Sequence, residues 1–302
     1  QYAEQLQLYA TAEAAYEYCV ELFTYLYPSE PLPARIYLPW AISSYNMQGP
    51  PRLLVEDKSG GTQRNQSKCL KIAELIRQSG RFDLLIEALA AKAAAKVGDG
   101  ELATQIFQVA EEKARQLSMQ GLIRRTSGLG LPDDSNSRQV GGMPQGGSSA
   151  TQFAWFYCFA LPDAEKALYW ANEAYSAEPN STTTAAILAY ALVMNNQLKW
   201  AKPLVEKYQR NQIADLALAQ IQLAEGQQNL AIETLRSVIA KDPGSLAAER
   251  AKEILALQGQ KYTPPVDPEV LLVVLKNTFG QAIVPPFTPP ERIISVQFNI
   301  RG

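Results

Sequence analysis

The stretch QIADLALAQIQLAEGQQNLAIETLRSVIAKDPGS, residues 212–245, decides the fold. Counted from Gln212, a large residue followed by a small one falls at Leu218 and Ala219. Gly226 falls where a turn would separate two helices. Ala231 and Leu235 supply the small and large sites of the second helix, and Pro243 closes the unit. These are the offsets of a helix–turn–helix repeat of about 34 residues. The physical reason is packing. Two helices approach to about 8–10 Å only where the side chains at the crossing are small, and Ala219 and Ala231 meet that need. Gly226 admits the positive φ that ends a helix cleanly. Pro243 has no N–H and clashes with the preceding turn, so it stops a helix.

The same spacing recurs along the chain. In Thr182–Asp215, Leu188 and Ala189 form the large–small pair and Ala201 the second small site, while Ile213 stands where the closing proline would be. Ala167 and Ala174 lie on a helix running into Ala-Glu-Pro-Asn, which ends a further copy at Pro179. Far upstream, Leu84–Leu117 places Ala91, Gly98, Ala103, Phe107 and Ala110 on pattern, again without a closing proline. Pro179 and Pro243 are 64 residues apart, where two full units would span about 68. One unit is therefore shortened, or a turn is altered.

This pattern resembles the tetratricopeptide repeat family, although the family's aromatic positions are absent. The resemblance implies an all-α array of antiparallel helix hairpins. It also implies an inner face, lined by the first helix of each unit, that binds an extended peptide. Carried over by position, that face includes Lys92 and Lys96 in the early unit, Tyr190 and Met194 in the middle one, and Gln220 in the last. Two lysines one turn apart can bind a carboxylate, while solvated lysines are the simpler reading. The family's carboxylate clamp also needs an asparagine, which is missing at the matching place.

Composition bounds the function. The 302 residues are 47% hydrophobic and 19% charged, as expected of a folded chain. The net charge of −2 gives no bulk attraction to nucleic acid or to an anionic membrane. Histidine is absent, which removes the usual general base near neutral pH and the commonest metal ligand. Serine–histidine and cysteine–histidine catalysis within this chain are thereby excluded. Cys19, Cys69 and Cys158 show no metal-type spacing, and an odd count closes no disulfide framework. Their apolar helical surroundings predict buried free thiols. Acidic pairs such as Glu111/Glu112 and Asp133/Asp134 are adjacent in sequence but not convergent, and read as solvated surface. No cofactor is expected. No apolar run reaches the length of a membrane span. The chain starts at Gln1 with helical periodicity already in phase, as expected of a processed or trimmed product whose compartment is not legible.

Taken in order, residues 1–119 read as an N-terminal helical region with one repeat-like unit. Residues 1–27 predict one long amphipathic helix. Tyr2, Tyr9, Tyr16 and Phe23 recur every seven residues, flanked by Leu6, Ala12, Cys19, Val20, Leu26 and Tyr27, with Glu13 at the margin of the apolar face. Residues 28–66 read as irregular, with a polar turn region at KSGGTQRNQS and an apolar segment at 36–45 in which any helix should begin near Pro39. Helices are expected at 67–78, 82–97 and 101–119, the last capped by Asp99. Asn65-Gln66-Ser67 and Asn180-Ser181-Thr182 match the glycosylation acceptor pattern.

Residues 120–150 are rich in Gly, Ser and Pro and read as an interdomain linker or a functional loop. Gly128 and Gly130, the pairs Gly141/Gly142 and Gly146/Gly147, and Arg124 and Arg125 suggest a phosphate cradle, but no strand precedes them and no Gly-Lys-Ser/Thr follows. Residues 151–258 predict a helical array of about seven helices. Its aromatic first helix, at 151–161, should be core on both sides, and Asp163 should cap the next. Residues 259–302 predict a helix over 268–278 ending at Gly280, an extended path through Pro285, Pro286, Pro289 and Pro290, and a final strand. That strand would carry Ile294, Val296, Phe298 and Ile300 on one face. A lone strand must pair with something.

The expectation is a non-catalytic scaffold or assembly subunit that binds a protein or peptide partner, including another copy of itself through the C-terminal tail. Alternative readings are a helical segment of a larger enzyme, or a small-molecule-binding domain that uses the 120–150 loop as a lid over Arg124 and Arg125.

Overall fold

The computed structural model describes residues 2–47, 61–119, 149–208, 210–264, 266–279 and 287–289. Within them the fold is all-α. Helices α1 (Tyr2–Gln5), α2 (Tyr9–Leu26), α3 (Ala34–Asn46), α4 (Gly61–Gln78), α5 (Leu84–Lys96) and α6 (Gly100–Met119) form the N-terminal region. Then follow α7 (Ser149–Trp155), which runs directly into a π-helical turn (Phe156–Ala160), α8 (Ala164–Ala177), α9 (Thr182–Met194) and α10 (Leu198–Lys207). Helices α11 (Gln212–Ala224), α12 (Gln228–Lys241), α13 (Leu246–Leu257) and α14 (Pro268–Phe279) complete the order. The expected strand at 294–300 and the 120–148 loop lie outside the described residues.

One turn is used over and over. After α4, α5, α9, α11 and α13 the chain reverses through a residue of positive φ: Gly80, Gly98, Asn196, Gly226 and Gly259. In each case the next residue's N–H returns to the carbonyl five places back, as in Gln197 to Leu192 (2.8 Å), Gln227 to Gln222 (2.8 Å) and Gln260 to Leu255 (2.9 Å). That is the Schellman closure, which satisfies carbonyls a helix end would otherwise leave open. Asn196, at φ 57°, replaces the glycine once, and asparagine is a side chain that tolerates this region.

Helix starts are equally regular. Ser181, Asn211 and Ser245 cap α9, α11 and α13, each accepting from the N–H three residues on. Asp83, Asp99 and Asp163 do the same for α5, α6 and α8. The caps locate the shortened unit. Ser181 to Asn211 is 30 residues and Asn211 to Ser245 is 34. The missing residues come from the second helix of the middle unit, because α10 has 10 residues where α12 has 14. Ile213 is therefore not at a closing position; it lies inside α11 and is buried.

The helices divide into two layers by burial. Helices α5, α9 and α11 are buried on nearly every side, whereas α8, α10 and α12 bury only a stripe: Ala167, Ala171 and Ala174; Ala201 and Val205; Ala231, Leu235, Val238 and Ile239. From α1 to α6 and from α7 to α13 each helix packs on its chain neighbour, and the inner ones also pack on each other, α3 on α5, α7 on α9, α9 on α11 and α11 on α13. Ala189, Ala201, Ala219 and Ala231 sit at the crossings with no exposed surface. The π turn is at the centre, touching α5, α8, α9 and α13. Its five residues, Phe-Tyr-Cys-Phe-Ala, are all buried, so 151–161 is core on both sides as its composition suggests.

Helix α13 departs from the large–small pattern. Where α9 and α11 carry Leu188-Ala189 and Leu218-Ala219, α13 carries Lys252-Glu253. A second helix cannot nestle against that pair, and residues 260–264 form none.

Four local expectations are corrected. The first 27 residues are not one helix, because Gln7 (φ 60°) closes α1 with the same six-residue turn, Leu8 N–H to the Ala3 carbonyl at 2.8 Å. Helix α3 begins at Ala34, with Pro39 inside it. Its Pro33 start needs no N–H, and only one interior bond is lost. Helix α4 begins at Gly61, so the polar run before Ser67 is in part helical. Cys19 is exposed, while Cys69 and Cys158 are buried.

Glu13 is corrected too. It lies at the centre of the α2 packing, with no exposure at all. Lys68 of α4 reaches it at 2.7 Å, and Lys68 is also 3.0 Å from Glu17. The Trp40 indole N–H is beside the same carboxylate. Burial raises the Glu13 carboxyl above its ordinary value, against the pull of Lys68.

Candidate functional site

The residues expected on an open inner face do not line one. Helices α3 and α5 instead meet the start of α13. Glu249, near the start of α13, takes the centre of that contact. Tyr45 of α3 donates its hydroxyl proton to Glu249, its oxygen 3.0 Å from both carboxylate oxygens. Lys92 and Lys96 of α5 approach at 3.5 and 3.2 Å. The Lys96 ammonium is also 3.7 Å from the centre of the Tyr45 ring, a cation–π arrangement. The two lysines do hold a carboxylate, and it comes from the same chain.

Beside this group the backbone approaches closely. Asn46 Nδ2 donates to the Gly244 carbonyl at 2.9 Å. A Cβ on Gly244 would meet the Tyr9 hydroxyl at 3.1 Å and Ile42 Cγ2 at 3.3 Å. Glycine is the residue that lets α2 and α3 seat against the α12–α13 turn.

The electrostatics follow from this geometry. Burial alone would raise the Glu249 carboxyl, but Lys92, Lys96 and the Tyr45 hydroxyl together hold it below its ordinary value. Burial, with Glu249 adding to it, drives the Tyr45 hydroxyl far up. Burial lowers Lys252. Among the thiols, burial pushes Cys69 up to about 12 and raises Cys158 as well. Such groups stay neutral and inert at physiological pH.

A carboxylate whose pKa is lowered by folding stabilises the fold above its ordinary pKa and loses that contribution as pH falls through the folded value. Glu249→Gln is thus expected to cost about 2 kcal/mol near neutral pH, measured by urea unfolding. The cost should shrink below the ordinary glutamate value of 4.5. A deficit that does not change with pH would show that the ion group is not its source.

The other expected face residues have these positions. Tyr190 is buried, its ring stacked on Phe159 at 4.9 Å between centroids. Its hydroxyl is near Arg250 and Gln220. Gln220 is half-buried beside it, and Met194 is half-buried at the end of α9. Lys92 and Lys96 belong with Glu249, away from that group. Ile294, Val296, Phe298 and Ile300 lie outside the described residues, as do Arg124 and Arg125.

The outer layer carries accessible apolar side chains, as do Leu26, Val109 and Leu257 elsewhere. Trp200 is 72% exposed and Tyr169 60%, and Leu230 is exposed as well. Trp200 and Leu230 each immediately precede the small residue, Ala201 and Ala231, on which an outer helix is seated. Val270, Val273 and Val274 of α14 are also exposed. Sequence reading missed this set because it looked inward. Adjacency to a small residue does not mark them, since Leu188 and Tyr190 flank buried Ala189 and are buried themselves, whereas Trp200 and Leu230 beside Ala201 and Ala231 are exposed.

Among the described residues no three His, Cys, Asp or Glu side chains converge as a metal site would require. No helix there is long and apolar enough to cross a membrane. No protein-family model, curated protein or solved structure matches the chain.

Proposed function

We propose that this chain is a non-catalytic interaction scaffold, or an assembly subunit, built of tetratricopeptide-like hairpins and binding a protein or peptide partner. The observation that carries the reading is the recurrence of one hairpin, with capped starts, Schellman turns and alanines at the crossings. A chain that repeats a structural unit spreads its surface over neighbouring units, and such surfaces serve for holding. Of the expected inner-face residues, Tyr190 is buried and Lys92 and Lys96 are engaged with Glu249, so partner contact falls to the outer layer, where Tyr169, Trp200 and Leu230 are exposed. Exposed tryptophan and tyrosine are the side chains that contribute most where proteins meet.

The test is affinity capture from the native extract with the wild-type chain and with Trp200→Glu/Leu230→Glu. Both positions are on the surface, so the fold should survive, which circular dichroism checks. The wild type should retain a defined partner that the double variant loses. If no partner is retained, or both chains retain it equally, the reading fails.

A further inference from the structure

Helix α2 carries two aromatic rows. One, through Tyr9, Tyr16 and Phe23, faces the other helices over its first half. The second, Tyr18 and Tyr25, is also seven residues apart and so shares a helix face. That face is not empty. Phe287, more than 260 residues further along the chain, sits against both rings. Its centroid is 5.6 Å from Tyr18, edge-on at 82°, and 5.7 Å from Tyr25, tilted at 57°. Phe287 is half-buried there, while Thr288 and Pro289 beside it are exposed.

We propose that the Tyr18–Tyr25 face of α2 is a recognition site for a phenylalanine from a proline-rich sequence, filled in cis by the chain's own Phe287. Three observations argue for recognition. The two tyrosines present an edge and a tilted face to one ring, the arrangements aromatic groups prefer. The phenylalanine is flanked on both sides by proline pairs, whose fixed φ keeps the free segment extended and lowers the entropy lost on docking. Aromatic-lined surfaces that receive such segments are a recurring mode of peptide recognition. The occupant is specified too, since the only phenylalanine seated on this pair among the described residues is the chain's own. This site is separate from the outer-layer surface above and does not depend on the scaffold reading.

The test uses the full-length chain and a fluorescein-labelled peptide, Val-Pro-Pro-Phe-Thr-Pro-Pro, matching residues 284–290. Phe287→Ala vacates the site, and fluorescence anisotropy reads the binding. A tethered segment competes at an effective concentration in the millimolar range. The Phe287→Ala chain is therefore expected to bind the peptide roughly fivefold tighter than the wild type. Adding Tyr18→Ala and Tyr25→Ala should abolish binding, and a peptide with alanine for phenylalanine should not bind. Circular dichroism confirms that each variant is folded. The recognition claim is overturned if the Phe287→Ala chain ignores the peptide up to about 1 mM, binds the alanine peptide equally, or keeps its affinity without the tyrosines. Protection of the wild-type site should persist through roughly a hundredfold dilution. If dilution removes it, the segment comes from a second copy and the cis assignment is wrong.

Discussion

Replacing Lys68 with methionine is expected to destabilise the fold by about 3–5 kcal/mol near neutral pH, although most of the lysine's length stays in place as an apolar stem. The cost comes from its partner. Glu13 has no exposure to water, and Lys68 is the cation that offsets its burial at 2.7 Å. Burial already raises the Glu13 carboxyl above its ordinary value of 4.5. Without the lysine it rises further. The variant must then either bury a bare charge or take up a proton on folding. Below the ordinary value the carboxyl is neutral in both folded and unfolded chains, so the deficit should fade there. It should reappear as pH rises through the folded value. Paired urea titrations at about pH 4 and about pH 7 read this directly. Glu13→Gln/Lys68→Met removes both charges and should recover most of the loss, because replacing a buried pair as a unit is far cheaper than breaking it. A double variant as unstable as Lys68→Met would mean that packing, not charge, is responsible.

Truncating Phe156 to alanine is expected to cost about 3–5 kcal/mol by loss of transfer energy and by the cavity left behind. Phe156 is fully buried in the π turn. Its ring meets Phe107 of α6 edge-on, 5.8 Å between centroids, and Tyr157 at 5.3 Å. It thus joins the α5–α6 hairpin to the array from α7 onward, and the helices around it cannot all close in. Denaturant unfolding should show one transition in the wild type and a markedly earlier one in the variant. A loss under about 1 kcal/mol would show that the site collapses freely and that the π turn is not the joint between the two regions.

Much of the fold was legible because it is local. Caps at Asp99 and Asp163, the turn at Gly226 and the stop at Pro243 depend on residues within one turn of each other. The 64 residues between Pro179 and Pro243 also signalled an uneven spacing, without saying where it lay. The difference lies in α10, which is shorter than α12. No proline follows it as Pro243 follows α12, and Asn196 does the work of glycine before it. Less legible was whatever depends on distant partners. Glu13 reads as a marginal residue until Lys68, 55 positions away, is beside it. The lysines at 92 and 96 read most simply as solvated, with a carboxylate partner as the second reading, and Glu249 was not visible as that partner. The family resemblance directed attention to an inner face, and nothing local in the sequence said that Tyr190 would be buried or that Lys92 and Lys96 would meet Glu249. The break at Gln7 has no local signal either, since glutamine is an ordinary helix former.

The short middle unit has a practical consequence. Its missing turn comes wholly from the outer rod, about 6 Å of it, and the gap is bridged by Tyr208. That hydroxyl is 2.7 Å from the Pro179 carbonyl oxygen and 2.9 Å from the Tyr175 hydroxyl. The interior on either side is already complete. The junction after Lys207 is therefore a natural graft point. A reporter, an affinity tag or a tether introduced there would project from the molecule's exterior and leave its interior undisturbed.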